Sequence, residues 1–122
     1  MASEGVYCFN TSTIRNCGLG VVEEIQLAAE VGYDGIELWV AEIAAYLQGG
    51  GTLAELRGVI DDAGIHVPNL IAFFQWANPD DTTRAQALVE AVEVFETAEA
   101  LGCPNVAAPP MGVTDRTDIP IA

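Results

Sequence analysis

The chain has 122 residues, 51% of them hydrophobic, with 18 acidic residues against four arginines and no lysine, for a formal net charge of −14. That length suits one modest domain with a real core, and no apolar run approaches the roughly 18 residues that a membrane-spanning helix needs. So acidic a surface repels nucleic acid and anionic membranes.

Met1-Ala2-Ser3-Glu4-Gly5 has no basic segment followed by a long apolar stretch, so no secretory signal is read there and a cytoplasmic protein is expected. Two readings fit the acidity: solvated helix faces, or a source that lives in high salt. Cys8, Cys17 and Cys103 are odd in number, form no C-x-x-C pair, and make no zinc pattern with the single histidine, His66. They read as structural thiols.

The first strand is expected over Val6 to Ser12, rich in β-branched and aromatic residues. A loop over Thr13 to Gly20 follows. The first helix is expected over Val21 to Val31, with Val21, Ile25, Ala28 and Ala29 on one face and Glu23, Glu24 and Glu30 mostly on another. The second strand is Gly35 to Val40, followed by a short helix, Ala41 to Gln48. After Gly49-Gly50-Gly51, Thr52 and Glu55 form a capping box for a helix running to Ala63. Leu53, Leu56, Val59 and Ile60 are its inward residues.

The third strand is expected over His66 to Phe73, with Pro68 arguing against a regular central strand. Asn78-Pro79-Asp80-Asp81 starts a long helix, Asp81 to Leu101, with Leu88, Val92, Phe95 and Leu101 at helical spacing. The fourth strand is Asn105 to Ala108, and residues 109–122 read as an irregular tail. Gly32, Gly64 and Gly102 recur at the same place, just past a helix and before a strand. The order is βαβαβαβ in a single partial domain over residues 1–122. Such crossovers are right-handed and give parallel strands covered by helices.

Two parallel folds fit, an open doubly wound sheet or part of a (β/α)8 barrel. Gly18-Leu19-Gly20-Val21-Val22-Glu23 fails as a dinucleotide fingerprint because Glu23 stands where the third glycine belongs. The segments Cys8 to Arg15, Ala28 to Trp39, Val67 to Phe74 and Val106 to Pro110 resemble the xylose isomerase-like TIM-barrel family. More narrowly, they resemble its sugar phosphate isomerase/epimerase branch, and Gly32-Tyr33-Asp34-Gly35-Ile36-Glu37-Leu38 is the most specific piece. The resemblance implies the N-terminal half, strands 1 to 4, of a (β/α)8 barrel, which in full takes about 250 residues. It implies a divalent metal (Mn, Mg, Co or Zn) in the full-length family, held by two glutamates, an aspartate and a histidine on later strands. None is expected to be bound by this chain alone.

Barrel active sites lie at the C-terminal ends of the strands. That rule selects Asn10 and Thr11, then Glu37 and Trp39, then Phe74, Gln75 and Trp76, then Pro109 and Pro110. Glu37, between Ile36 and Leu38, is read as pointing into the barrel, either as part of a substrate pocket or as a member of an internal hydrogen-bond network. Trp39, Phe74 and Trp76 are candidates for an apolar wall against a sugar's C–H face, or for ordinary core. Asn10 and Gln75 are candidates for binding hydroxyls, and Pro109 for shaping the rim. No residue is assigned a catalytic role and no metal ligand is named. His66 falls at the opposite, N-terminal end of its strand.

The expected function is the N-terminal half of a divalent-metal-dependent sugar (phosphate) isomerase or epimerase, acting by proton transfer next to a carbonyl. The alternative is a non-catalytic half-barrel binding or association module. An open flavodoxin-like sheet lacks its fifth strand, and the AP-endonuclease branch of the family is disfavoured by the acidic charge. The partners expected are a small sugar-like substrate, and either a second copy of the chain or a missing C-terminal half.

Overall fold

In the computed structural model, residues 5–114 are described. Met1 to Glu4, Arg116 and the rest of the tail from residue 115 lie outside them. Four strands are joined by helices, two of them between the second and third strands: β1 (Cys8–Asn10), α1 (Val21–Val31), β2 (Gly35–Trp39), α2 (Val40–Gln48), α3 (Leu53–Ala63), β3 (His66–Ile71), α4 (Asp81–Leu101) and β4 (Val106–Ala107). The strands are all parallel, in the order β1-β2-β3-β4, so β1 and β4 are the edges. This is the sheet expected for the first half of a barrel.

All four strands are shorter than expected, β2 by the single residue Val40, and local hydrogen bonds explain the first. Asn10 Oδ1 accepts the Ser12 N–H at 2.9 Å and Thr13 Oγ1 donates to the Asn10 carbonyl at 3.0 Å, which turns Thr11–Ile14 into a single 3-10 helix. Asparagine competes for backbone groups in this way. β3 stops at Ile71, and β4 has only two residues.

The helix ends follow the expected chemistry. Gly32 closes α1 at φ +102°, and its N–H and that of Tyr33 both reach the Ala28 carbonyl. An L side chain resists that conformation. At the other joint Asp34 Oδ2 accepts the Tyr7 N–H at 2.8 Å, tying the start of β2 to the start of β1. Thr52 and Glu55 complete the capping box of α3.

The core lies between one face of the sheet and the helices. Ile36, Leu38 and Leu70 from the strands meet Ile25, Leu56, Ile60 and Leu101 from the helices. Each such side chain contributes roughly 1.5–3 kcal/mol on burial. Leu53 and Val59 pack at the edge of this cluster.

Two helix faces differ from expectation. α4 buries Ala87, Ala91, Val94, Ala98 and Leu101 and leaves Leu88, Val92 and Phe95 more than half exposed. The helix is apolar on two sides, and its small alanines allow the closer approach to the sheet. Glu24 of α1 is not solvated with its acidic neighbours; it is 1% exposed. No helix of the described residues is long and apolar enough to cross a membrane.

Candidate functional site

Because side chains alternate along a strand, the residues between the core positions share the sheet's other face. Cys8 and Asn10 on β1, Glu37 and Trp39 on β2, and Asn69 and Ile71 on β3 lie there. Asn10 pairs in register with Glu37, and Glu37 with Asn69. The three form one polar row across the sheet. Asn10 Nδ2 donates to Glu37 Oε2 at 3.2 Å and Asn69 Nδ2 donates to the same oxygen at 3.4 Å. Both bonds fall on Oε2, and Oε1 accepts none among the described residues. The Glu37 carboxylate and partial burial push the Cys8 thiol above its ordinary range, burial being the larger cause.

Asn69 joins the row through an irregularity in the sheet. Between the Gly35–His66 and Glu37–Asn69 pairs, β2 has one residue and β3 has two. This bulge, at Val67 and Pro68, sits where proline's missing N–H is tolerated.

One layer nearer the C-terminal ends of the strands, Trp39 and Phe73 meet edge to face, with centroids 5.1 Å apart. Phe73, 45% exposed, occupies the place expected of Phe74. Phe74 itself is buried with Ala72, Ala87, Ala91 and Val94 against α4, so it is core and not pocket wall. The alternation past Ile71 puts Phe73 on the open face and Phe74 under the helix.

Gln75 and Trp76 are not brought onto the row. Gln75 Oε1 accepts from Asn78 Nδ2 at 2.7 Å within its own loop. Trp76 Nε1 reaches the carbonyls of Ala108 and Pro109, at 3.1 and 3.0 Å, and fastens the loop after β3 to the end of β4. Pro109 serves there through its backbone oxygen. Gly112, at φ +101°, lies so close to Asn78 that a Cβ would meet its backbone at 2.6 Å. The turn over 109–114 is therefore packed onto the same loop. Arg15 is exposed and donates to the Ser12 carbonyl at 3.1 Å, and His66 is exposed at the far end of β3.

The described residues do not fit a divalent metal. No three histidine, cysteine, aspartate or glutamate side chains converge among them. Glu37 is the only acidic residue on the four strands, and its neighbours present amide hydrogens where a cation needs lone pairs.

A second carboxylate group lies behind the row. Glu24 of α1 meets Glu42 of α2, and Thr11 Oγ1 donates to Glu42 Oε2 at 3.4 Å. Burial first, then the contact with Glu42 and its charge, push the Glu24 carboxyl up to about 8. Nothing in the local sequence marks this pair, because Glu24 looks like any glutamate in a first helical turn.

The fold is a parallel half barrel with one polar row across its open face. The profile described as xylose isomerase-like TIM barrel matches residues 25–119. The chain belongs to that family. Among solved structures of the same fold, the IolI protein with a bound zinc atom is 26% identical, with TM-score 0.80, covering 94% of this chain and 41% of its own. D-psicose 3-epimerase, solved in the presence of D-fructose, is 18% identical, with TM-score 0.70, covering 93% of this chain and 42% of its own. The probable 3-DHS dehydratase AsbF from Bacillus anthracis is 17% identical, with TM-score 0.71, covering 85% of this chain and 38% of its own. The chain thus spans about two fifths of these three proteins, and 16% of a xylose isomerase-like TIM barrel/4-hydroxyphenylpyruvate dioxygenase fusion protein. A comparison with curated protein sequences gives no significant match.

Proposed function

We propose that the open sheet face binds a small polyhydroxylated, sugar-like compound, and that the chain serves as the N-terminal half of an isomerase or epimerase barrel of the sugar phosphate type. The observation that carries this reading is the Asn10–Glu37–Asn69 row, where two amides spend their hydrogens on one carboxylate oxygen and leave the other for a ligand hydroxyl. The Trp39–Phe73 pair beside it supplies an apolar surface for the C–H face of the same ligand. Family membership and the D-psicose 3-epimerase fold support the reaction class, proton transfer at a carbon next to a carbonyl.

In this reading, the described residues bind and orient. Glu37 accepts a hydroxyl hydrogen at Oε1, Asn10 and Asn69 hold the carboxylate in place, and the aromatic pair excludes water from one side of the ligand. A divalent metal, which the zinc-bound IolI structure supports for relatives, belongs in this proposal to further strands beyond this half. The free edges β1 and β4 and the exposed Leu88, Val92 and Phe95 stripe are the surfaces such additional β/α units would cover.

The test is solvent-deuterium incorporation next to the carbonyl of a panel of ketoses and their phosphates, followed by proton NMR on the barrel completed by those further strands. Incorporation into at least one ketose, with weaker binding of that ketose by Glu37→Gln, is the expected result. Binding that is indifferent to Glu37→Gln would remove the row from the site, and no incorporation with any ketose would remove the reaction class.

A further inference from the structure

The Glu24–Glu42 contact is costly unless something compensates it. Glu24 is 1% exposed, its Oε2 has no hydrogen-bond partner, and the group it touches carries the same charge when ionised. Two carboxylates in contact at a buried site cannot both stay ionised cheaply. No cation relieves them among the described residues. Arg57 on α3, which packs against α1, pairs with Asp61 and reaches toward Gly102 at the other end of the helices. Arg84 pairs with Asp81 at the start of α4, and Arg15 bonds the Ser12 carbonyl. From the remaining neighbours, Glu23 of α1 and Tyr46 of α2 line the shallow outer groove that Glu42 borders, and the 3-10 helix presents only the Thr11 hydroxyl, fully buried. The ring of groups is therefore acidic or neutral on every side.

We propose that Glu24 keeps its proton against Glu42 across the α1–α2 contact, and that this protonated contact is a pH-sensitive latch on the ligand site. The route to the site is short. Glu42 Oε2 holds Thr11, and Thr11 follows Asn10, whose side chain caps the 3-10 helix with one end and holds Glu37 with the other. With the proton in place, α1, α2 and the 3-10 helix are drawn together and Asn10 is fixed. Loss of the proton leaves two like charges, one of them buried, drives the helices apart, and releases Thr11 and then Asn10. The inference rests on the proposed function only for what Asn10 does; the latch itself is read without any substrate.

The sign follows from linkage. A carboxyl whose folded-state value is raised makes the folded state bind more protons than the unfolded chain, so its contribution is complete below the unfolded value of 4.5. It is lost as pH rises to about 8, and unchanged beyond.

The experiment is carbon-13 NMR of glutamate side-chain carboxyls in the full chain, from pH 4 to 10, with the Asn10 side-chain amide followed in the same samples. One glutamate should titrate above pH 7 and vanish from that range in Glu24→Gln, and the Asn10 amide should shift with the same midpoint. In Glu24→Gln the neutral amide can donate to Glu42 permanently, so the Asn10 shift should be lost while Tm rises relative to wild type more at pH 9 than at pH 5. Glu42→Gln is the second variant, and should bring the Glu24 titration down. All glutamates titrating below pH 6 would overturn the retained Glu24 proton. An alkaline titration with an unmoved Asn10 amide would overturn the latch. Failure to turn over any ketose would bear on the proposed function and leave both readouts intact.

Discussion

Asn69 stands opposite Glu37 because β3 is one residue longer than β2 between the Gly35–His66 pair and theirs. Were the ladder regular, Pro68 would face Glu37 and the carboxylate would lose one of its two amide donors. The buried positions record the same shift, since Val67 and Leu70, three residues apart, both face the core. A proline that looked like an objection to a central strand is thus what completes the polar row.

Asn69→Ala should leave the fold intact, at a cost of about 1 kcal/mol for a half-buried hydrogen bond to a charged group. It should weaken ligand binding several-fold by letting the Glu37 carboxylate rotate. Urea unfolding and ligand titration, compared on the same variant, separate the two effects; a large stability loss with unchanged affinity would place Asn69 in the scaffold alone.

Cys8 reports on the charge of Glu37. Burial and then that carboxylate raise the thiol, so Glu37→Gln should increase the thiolate fraction and speed alkylation of Cys8 at pH 8. Mass spectrometry of the labelled peptides reads the rate, with the exposed Cys17 as internal reference. Buried Cys103, whose thiol burial also raises, should label slowest in both proteins.

Two glycines should respond in opposite directions to alanine. Gly58 lies in the middle of α3 with open space where a Cβ would go, so Gly58→Ala should stabilise by roughly 0.5–1 kcal/mol. Gly32 also has open space, but its φ of +102° makes Gly32→Ala destabilising by about 1–2 kcal/mol. Thermal unfolding of the pair checks that backbone conformation, and not room, sets the sign.

Trp76→Phe keeps an aromatic ring and removes the indole donor shared by the Ala108 and Pro109 carbonyls. The loss should be about 0.5–1.5 kcal/mol, concentrated in the turn after β4. Limited proteolysis should cut within residues 109–114 sooner than in the parent, with the helices no more sensitive than before.

Much of the architecture was legible from local rules. The glycines after α1, α3 and α4, the Thr52–Glu55 box and the alternation of Ile36, Glu37 and Leu38 each act over a few residues, so the helix bounds of α1, α3 and α4 follow from composition alone. Glu37 could be placed on the inner face for the same reason, since its apolar neighbours leave it nowhere else to point. What could not be read was anything set by the register between elements. The face α4 turns inward depends on which stripe the sheet accepts, the exchange of Phe74 for Phe73 depends on where β3 ends, and Asn69 meets Glu37 only through a bulge. Glu24 and Glu42 lie 18 positions apart on different helices, and only the packing of α1 against α2 brings them together. Short-range hydrogen bonding and periodicity are written into neighbouring residues, whereas these contacts arise from the summed packing of the whole sheet.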